Sequence, residues 1–345
     1  MVIVYTERLA RSASETSLRI KTPFKRGSKN ESYNLVYGYF LETCKKIGLK
    51  VAFTTSADII GAGTCSSYWS FQNKKWTKTN GPCFSKVIFD KFSPTSGEIK
   101  ARRKLLFSGR EIKAFNDPEL FGLFFDKLKT YERLSDCSIP TVAIEERTVG
   151  GIVKARKKLD KLIKGHSFSG DFGQSLVLKD RFGAGGRRVF RFKTDINEKT
   201  FKAIKRNRNR SFIIQPFIKF KKGFSYHGEP KATDIRLIYL NGKTVQSYIR
   251  EAKEGDFRCN EHAGGRLTYV PLKSLPNKLT ETSDRVSRRL NKPDSLYSLD
   301  FLVSNNGNVF FLEGNTGPGL DWNTSLKRNE NEAKKLIRMV ANKFV

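Results

Sequence analysis

Apolar and polar positions alternate in ways that divide the chain into short strands and helices. Val2–Tyr5 reads as a first strand, with further strands expected at Lys50–Thr54 and Lys86–Phe89. Tyr33–Lys46 has helical spacing, and Gly48 supplies its stop. Tyr68–Thr79 carries Trp69, Phe71 and Trp76 about Gln72-Asn73, the pattern of a small hairpin. Asp117 and Pro118 suit the cap and first turn of a helix along which Leu120, Phe121, Phe124 and Leu128 recur. Asp126 and Lys127 fall on that helix, and Ile139-Pro140-Thr141 closes the segment. Helices are next expected at Lys154–Lys164 and Glu198–Arg206, and strands at Ser175–Lys179, Arg188–Phe192 and Phe212–Gln215. Beyond Asp234 the pattern becomes antiparallel: Ile235–Leu240 and Thr244–Ile249 flank Asn241-Gly242. Leu279–Leu290 and Ser325–Phe344 complete the helices. There is no internal repeat and no low-complexity linker.

The strongest local signal is a second Asn-Gly hairpin, with Ser298–Ser304 and Val309–Asn315 about Asn306-Gly307. With these two as turn residues, Asn305 pairs with Asn308, and counting back sets Asp300 opposite Glu313. Asn315, two residues on, shares their face. Like charges opposed on a sheet repel. A hard divalent cation, Mg²⁺ or Mn²⁺, would relieve this, with two carboxylates and an amide oxygen as ligands. A polar sheet face open to water is the competing reading.

The length of 345 residues suits two or three structural units. No apolar stretch approaches the roughly 20 residues of a membrane span, and the N-terminus lacks the regions of a signal peptide. Cys44, Cys65, Cys83, Cys137 and Cys259 are scattered, odd in number and without CxxC spacing. That argues against a disulfide framework or zinc site and for a reducing, cytoplasmic setting. The 65 basic and 34 acidic residues leave a charge of +31. Such a charge attracts acidic or phosphate-rich partners; a compositional habit of the source organism is the alternative.

Three segments carry candidate chemistry. Lys179 ends a strand before Asp180–Arg187, where Gly183, Gly185 and Gly186 allow backbone N–H groups to turn toward a phosphate. The loop is neither a Walker A nor a Rossmann sequence, and an ordinary hairpin turn is the alternative. In Ile213–Ile218 a proline interrupts an apolar run and frees backbone groups for a nucleobase edge; the alternative is a buried strand entering a linker. Arg250–Gly265 is dense in charge. Arg250 and Arg258 are candidates for stabilising a phosphoryl or tetrahedral transition state, and Asn260 for contacting phosphate or metal. His262 suits a supporting role better than that of a base. No Ser or Cys partner points to a hydrolytic triad.

Taken in order, these segments resemble the ATP-grasp superfamily between Asp117 and Trp322. The resemblance rests on Asp126-Lys127, Lys179 with Gly183–Gly186, Gln215–Ile218, Asp234-x-Arg236 and Asp300 with Glu313-x-Asn315. Ala252–Arg258 with Asn260 is similar to the RimK-type glutamate ligases, which add amino acids to a protein or peptide carboxylate. Leu312–Gly319 is shared with D-Ala–D-Ala ligases, and Val87–Asp90 with Phe115-Asn116 faintly resembles the YheC/YheD branch. The resemblance implies an α/β (α+β) fold. Residues 1–115 would form a pre-ATP-grasp domain, 116–215 an N-lobe with a basic lid, and 216–345 a C-lobe bearing the metal hairpin. It implies that Lys127 and Lys179 bind ATP phosphates, that the glycine loop covers them, and that Gln215, Pro216, Phe217 and Ile218 hold adenine. Asp234 would sit near the ribose or the metal-side network. Arg250, Arg258 and Asn260 would face the reacting carboxylate and phosphates, and Asp300, Glu313 and Asn315 would bind Mg²⁺.

The implied reaction joins a carboxylate to an amine through an acylphosphate, releasing ADP and phosphate. Its acceptor would be an amino acid, peptide or protein, acidic ones included. Pro216 stands where RimK-type hinges carry Glu, and Ser298 where D-Ala–D-Ala ligases carry Arg, which argues against the latter branch. The N-terminal third matches nothing closely. A small-molecule dipeptide or natural-product ligase is a second reading. A nucleic-acid-binding protein without ligase activity is a third, suggested by the basic run Lys202–Arg210 and marked by steep salt dependence.

Overall fold

The computed structural model of the chain describes residues 1–17, 19–318, 320 and 327–344, with His262, Lys327 and Arg328 described by backbone alone. Trp322, Ser325 and Gly319 lie outside the described residues. By its contacts the chain forms two compact units. One takes residues 1–118, 292–297 and the segment from Thr316; the other takes 119–291 and 298–315.

The first unit is built on a sheet ordered β3-β4-β2-β1-β6-β7, with β5 paired to β4. Its strands are β1 (Val2–Tyr5), β2 (Ala52–Thr55), β3 (Ile59–Gly61), β4 (Thr64–Gln72), β5 (Lys75–Phe84), β6 (Val87–Lys91) and β7 (Lys113–Phe115). β1 runs parallel to β2 and β6 and buries all four of its residues, as a strand covered on both faces must. Helix α1 (Tyr33–Lys46) has the expected bounds, and Gly48 beyond it is left-handed at φ +80°. The β4–β5 hairpin is longer than expected. Its turn is Asn73-Lys74, both at positive φ, the backbone that two-residue hairpins favour. Helix α2 (Gly97–Leu106), capped by Ser96, and the three-residue β7 escaped the periodicity reading: α2 buries only Arg103 and Leu106. The C-terminal helix α8 (Lys327–Asn342) packs on α1 in this unit, although its sequence position had grouped it with the C-lobe.

The second unit opens with two helices where one was expected, α3 (Pro118–Phe125) and α4 (Lys127–Arg133). Asp126 breaks the run. Its backbone is extended and its carboxylate accepts from the N–H groups of Leu128 and Lys129, so a residue read as helical is a cap. A four-stranded sheet follows in the order β10-β9-β11-β8. It comprises β8 (Val142–Ile144), β9 (Phe172–Asp180), β10 (Val189–Phe192) and β11 (Phe212–Ile218). Helices α5 (Val149–Lys164) and α6 (Ile196–Arg206) supply the apolar partners Ile152, Leu159 and Ile204 to its core. A second sheet, ordered β14-β13-β12-β15-β16, contains β12 (Thr233–Leu240), β13 (Lys243–Glu251), β14 (Arg266–Tyr269), β15 (Leu296–Val303) and β16 (Val309–Asn315). Helix α7 (Asn277–Leu290) completes the unit.

Two local details set up the site. β11 continues through Pro216 to Ile218, with a bulge between Pro216 and Phe217. β8 pairs only as far as Ile214, so Pro216 lies where the strand has an open edge and its missing N–H costs little. The β15–β16 turn also differs from the count made above. Ser304 pairs with Asn308 through Ser304 N–H to the Asn308 carbonyl at 2.8 Å, and Phe301 lies opposite Phe311. The loop is therefore Asn305-Asn306-Gly307, with Gly307 at φ +76°. A bulge at Leu312 then restores Asp300 opposite Glu313. The expected pair is present because two one-residue offsets cancel.

Candidate active site

A cleft opens in the second unit, with about 830 Å³ of free space when the solvent at its mouth is counted. Lys127, Lys179, Asp180, Gly183–Arg187, Gln215–Ile218, Asp234, Phe257–Asn260 and Glu313 line it, with Ile139, Val177, Leu302 and Leu312 as apolar surface. Three of the segments singled out above thus meet around one space, as ligand sites do.

At one wall the chain leaves β9 at Lys179 and turns through the glycine loop. Gly185 and Gly186 have φ +65° and +68°, and a Cβ on Gly186 would stand 2.7 Å from Asn260 Oδ1. Glycine is needed there for backbone conformation and close approach together. Asp126 pairs with Arg181 through two contacts of 2.6 Å, Lys127 Nζ donates to the Gly183 carbonyl, and Asp180 pairs with Arg188 at 2.7 Å. These bonds hold the loop's ends. The N–H groups of Ala184, Gly185 and Gly186 have no partner among the described residues. Three consecutive free amides form an anion-binding concavity. Lys179 likewise has no ion pair among the described residues. Burial drives its pKa down to about 8 against the attraction of Glu313, with Lys127 lowering it further. A desolvated cation facing free amides fits a polyphosphate.

The second wall is β11. Gln215 Nε2 donates to Thr141 Oγ1 at 2.8 Å, while its buried Oε1 has no partner. Pro216, Phe217 and Ile218 follow on the open strand edge and line the same cleft. This arrangement fits a planar heterocycle read by backbone groups between apolar side chains.

The third wall is the hairpin. Glu313 lines the cleft and has no ion pair among the described residues. A Cβ on Gly314 would fall 2.4 Å from the Phe124 ring, so glycine is what lets the strand lie this close. Asp300 is different. It is fully buried and forms two 2.6 Å contacts with Arg236 and one of 2.8 Å with Arg250, which also pairs with Asp234 at 2.7 Å. The bare repulsion expected between Asp300 and Glu313 is therefore corrected. The two guanidiniums offset burial and hold the Asp300 carboxyl below its usual range. Burial raises Asp234 to about 6 against the pull of Arg250. Arg250, expected at the reacting groups, is buried in this network and is not on the cleft wall; Asp300 and Asn315 are not on it either. Asn315 pairs across the strands with Ser298, and both Asn315 Nδ2 and Ser298 Oγ are buried without partners. Among the described residues no group of three or more His, Cys, Asp or Glu side chains is placed to hold a metal. Of the carboxylates lining the cleft, Asp180 and Asp234 are paired with arginine, while Glu313 has no ion pair among the described residues.

Arg258 and Asn260 lie on the cleft wall, with Arg258 held by Asp256 at 2.8 Å; the His262 side chain is outside the described residues. Sequence reading missed Arg187, which lines the cleft without a partner among the described residues. Its place directly after Gly185-Gly186 was the available signal. A second, larger space of about 1410 Å³ shares Phe217, Phe220 and Phe257 with the first. Arg191, Lys219, Lys221, Lys231 and Lys253 line it beside the carboxylates of Glu229, Glu254 and Asp256, with Arg191 stacked 3.3 Å above the Phe217 ring. No helix among the described residues is long and apolar enough to cross a membrane.

The sequence matches the RimK-like ATP-grasp domain over residues 126–340. A probable alpha-L-glutamate ligase 1 of Shewanella denitrificans is 35% identical over 32% of this chain and 36% of its own length. A probable alpha-L-glutamate ligase 2 of Pseudoalteromonas atlantica is 30% identical over 57% and 56%. The chain thus spans about a third to a half of the length of these curated relatives. Among solved structures, D-alanyl-alanine synthetase A of Vibrio cholerae superposes with a TM-score of 0.58 at 14% identity, covering 99% of this chain and 97% of that one. A RimK domain ATP-grasp protein of Sphaerobacter thermophilus gives 0.57 at 14%, covering 99% and 98%. These likenesses establish the ATP-grasp fold.

Proposed function

The chain belongs to the RimK-like ATP-grasp family, and from that premise we propose that it is an ATP-dependent carboxylate–amine ligase. The observation that carries the reading is the cleft itself, where free amides of the glycine loop, Lys179 without an ion pair, and Glu313 surround one space. In this reading Lys127, Lys179 and residues 183–186 hold the ATP phosphates, and Gln215–Ile218 hold adenine. Asp234 anchors Arg250, which with Arg236 sets the position of Asp300. Glu313 would hold Mg²⁺ or Mn²⁺ together with Asn315 and with Asp300 once it leaves Arg236 and Arg250, and the ion would neutralise phosphate charge. Arg187, Arg258 and Asn260 face the reacting groups. A substrate carboxylate attacks the γ-phosphate, and an amine displaces phosphate from the acylphosphate, giving an amide, ADP and phosphate. The protein's share of the work is positioning and charge neutralisation.

The second space, where five cations outnumber three carboxylates, supports an amino-acid, peptide or protein acceptor that carries carboxylates. Both an alpha-L-glutamate ligase and a peptide-bound ligase from Chryseobacterium gregarium stand among the similar proteins. The test is ADP release over a panel of amino acids and peptides, with mass spectrometry of products. Amide product with stoichiometric ADP supports the reading; ATP turnover to AMP, or none with any pair, overturns it.

A further inference from the structure

Two of the five cysteines meet in space. Cys65 on β4 and Cys83 on β5 are direct cross-strand partners. Opposed residues of an antiparallel pair have Cα atoms about 4.5–5.5 Å apart, inside the roughly 4.4–6.8 Å that a disulfide spans without backbone movement. Cys65 is fully buried and packs with Val2, Val4, Ile59 and Ile88. Cys83 is half-buried, on a strand whose only partner among the described residues is β4. A reagent can therefore reach Cys83 from the open edge of the sheet. Cys44, Cys137 and Cys259 are buried.

We propose that Cys65 and Cys83 form a redox-active dithiol that closes to a cross-strand disulfide. The asymmetry of the pair assigns the roles. Cys83 is the sulfur a reagent can reach, and it attacks first, whereas the neighbouring Cys83 and burial push the Cys65 thiol up and leave it to resolve the mixed disulfide. Asp58, which opposes a thiolate at either sulfur, and the Met1 amine, which favours one at Cys83, also face the pair. With a small oxidised thiol such as glutathione disulfide as oxidant, the Cys83 thiolate attacks one of its sulfurs. One glutathione thiolate leaves, and a mixed disulfide forms on Cys83. Cys65 attacks the Cys83 sulfur and gives its proton to the departing glutathione, which leaves as the second thiol. Two protein thiols are oxidised, one glutathione disulfide is reduced to two thiols, and the β4–β5 hairpin gains a covalent staple.

The whole chain is incubated with glutathione disulfide and quenched in acid. Its thiols are then counted, and its peptides are mapped without reduction. The expected result is a fall from five free thiols to three, with one linked peptide pair joining Cys65 to Cys83, reversed by dithiothreitol. Cys65→Ala should instead trap glutathione on Cys83, whereas Cys83→Ser should take up none. Mapping the unaltered chain decides the matter even where a variant folds poorly. Five thiols persisting under oxidant, or linkage through any other cysteine, overturns the proposal.

Discussion

The Asp234–Arg236–Arg250–Asp300 cluster and the Lys127–Lys179–Glu313 wall belong to the same unit but treat charge differently. In the first, Asp234 and Asp300 each meet a guanidinium and the group is buried. In the second, Lys179 and Glu313 face a space with no ion pair among the described residues. Matched buried charges fix geometry, and removing one partner leaves the other stranded. Unmatched charges at a cavity wall are a cost carried for a ligand. The contrast separates charges the fold already pairs from charges it leaves for a ligand; Asp300, assigned to the metal above, is in the paired group and would have to exchange arginine for the cation.

The largest expected effect lies in the matched cluster. Arg250→Ala should destabilise the fold by about 3–5 kcal/mol, since it strips partners from two buried carboxylates. Urea unfolding measures this, and a loss near zero would place Arg250 among the ligand-binding groups instead. On the unmatched wall, Lys179→Met should reverse the sign. A lysine whose folded pKa is depressed to about 8 from 10.5 imposes a cost that is full below pH 8 and fades as pH rises to 10.5. The variant should thus gain on the order of 2 kcal/mol of apo stability at pH 7 and lose that gain by pH 10.5. It should also bind ATP more weakly, by roughly tenfold or more. Calorimetry adds a check: phosphates raise the lysine pKa, so ATP binding by the unaltered chain at pH 8 should take up about half a proton.

Gly186→Ala should cost about 1 kcal/mol through its left-handed backbone, and more in ATP affinity, because the new methyl displaces Asn260. Equal affinity would show that the loop does not close on the nucleotide through that contact. The smallest effect concerns the basic second space. Lys219→Gln with Lys221→Gln should raise KM for a carboxylate-bearing acceptor severalfold at low salt, with the difference shrinking as salt rises.

Much of the site was legible because its motifs sit on local signals: a strand lysine before three glycines, a proline within an apolar run, and an Asn-Gly turn. What was not legible depended on strand neighbours. Asp234 and Arg236 share a face of β12 by alternation, but nothing in the sequence says that β15 lies beside it, so Asp300 was read as an uncompensated charge. Asp126 was read as helical because Leu120, Phe124 and Leu128 continue their spacing across it; only its bonds to Leu128, Lys129 and Arg181 expose the break. Asp300 came out opposite Glu313 although the turn was placed one residue wrong, because the bulge at Leu312 undoes the slip. Local counting cannot see such a bulge.

The central claim is that Glu313 and the groups facing it bind metal–ATP and carry the chemistry of a ligase. It is tested most directly by ADP release from Glu313→Gln, assayed with saturating Mg²⁺, ATP and an accepted carboxylate and amine. The substitution keeps shape and removes one partly buried charge that also attracts Lys179, so thermal unfolding of the apo variant should match or fall slightly below that of the unaltered chain. ADP formation should fall by at least 10²-fold, the scale of a lost electrostatic contact to developing charge. Turnover within a few-fold of the unaltered chain in a folded Glu313→Gln variant would contradict the account.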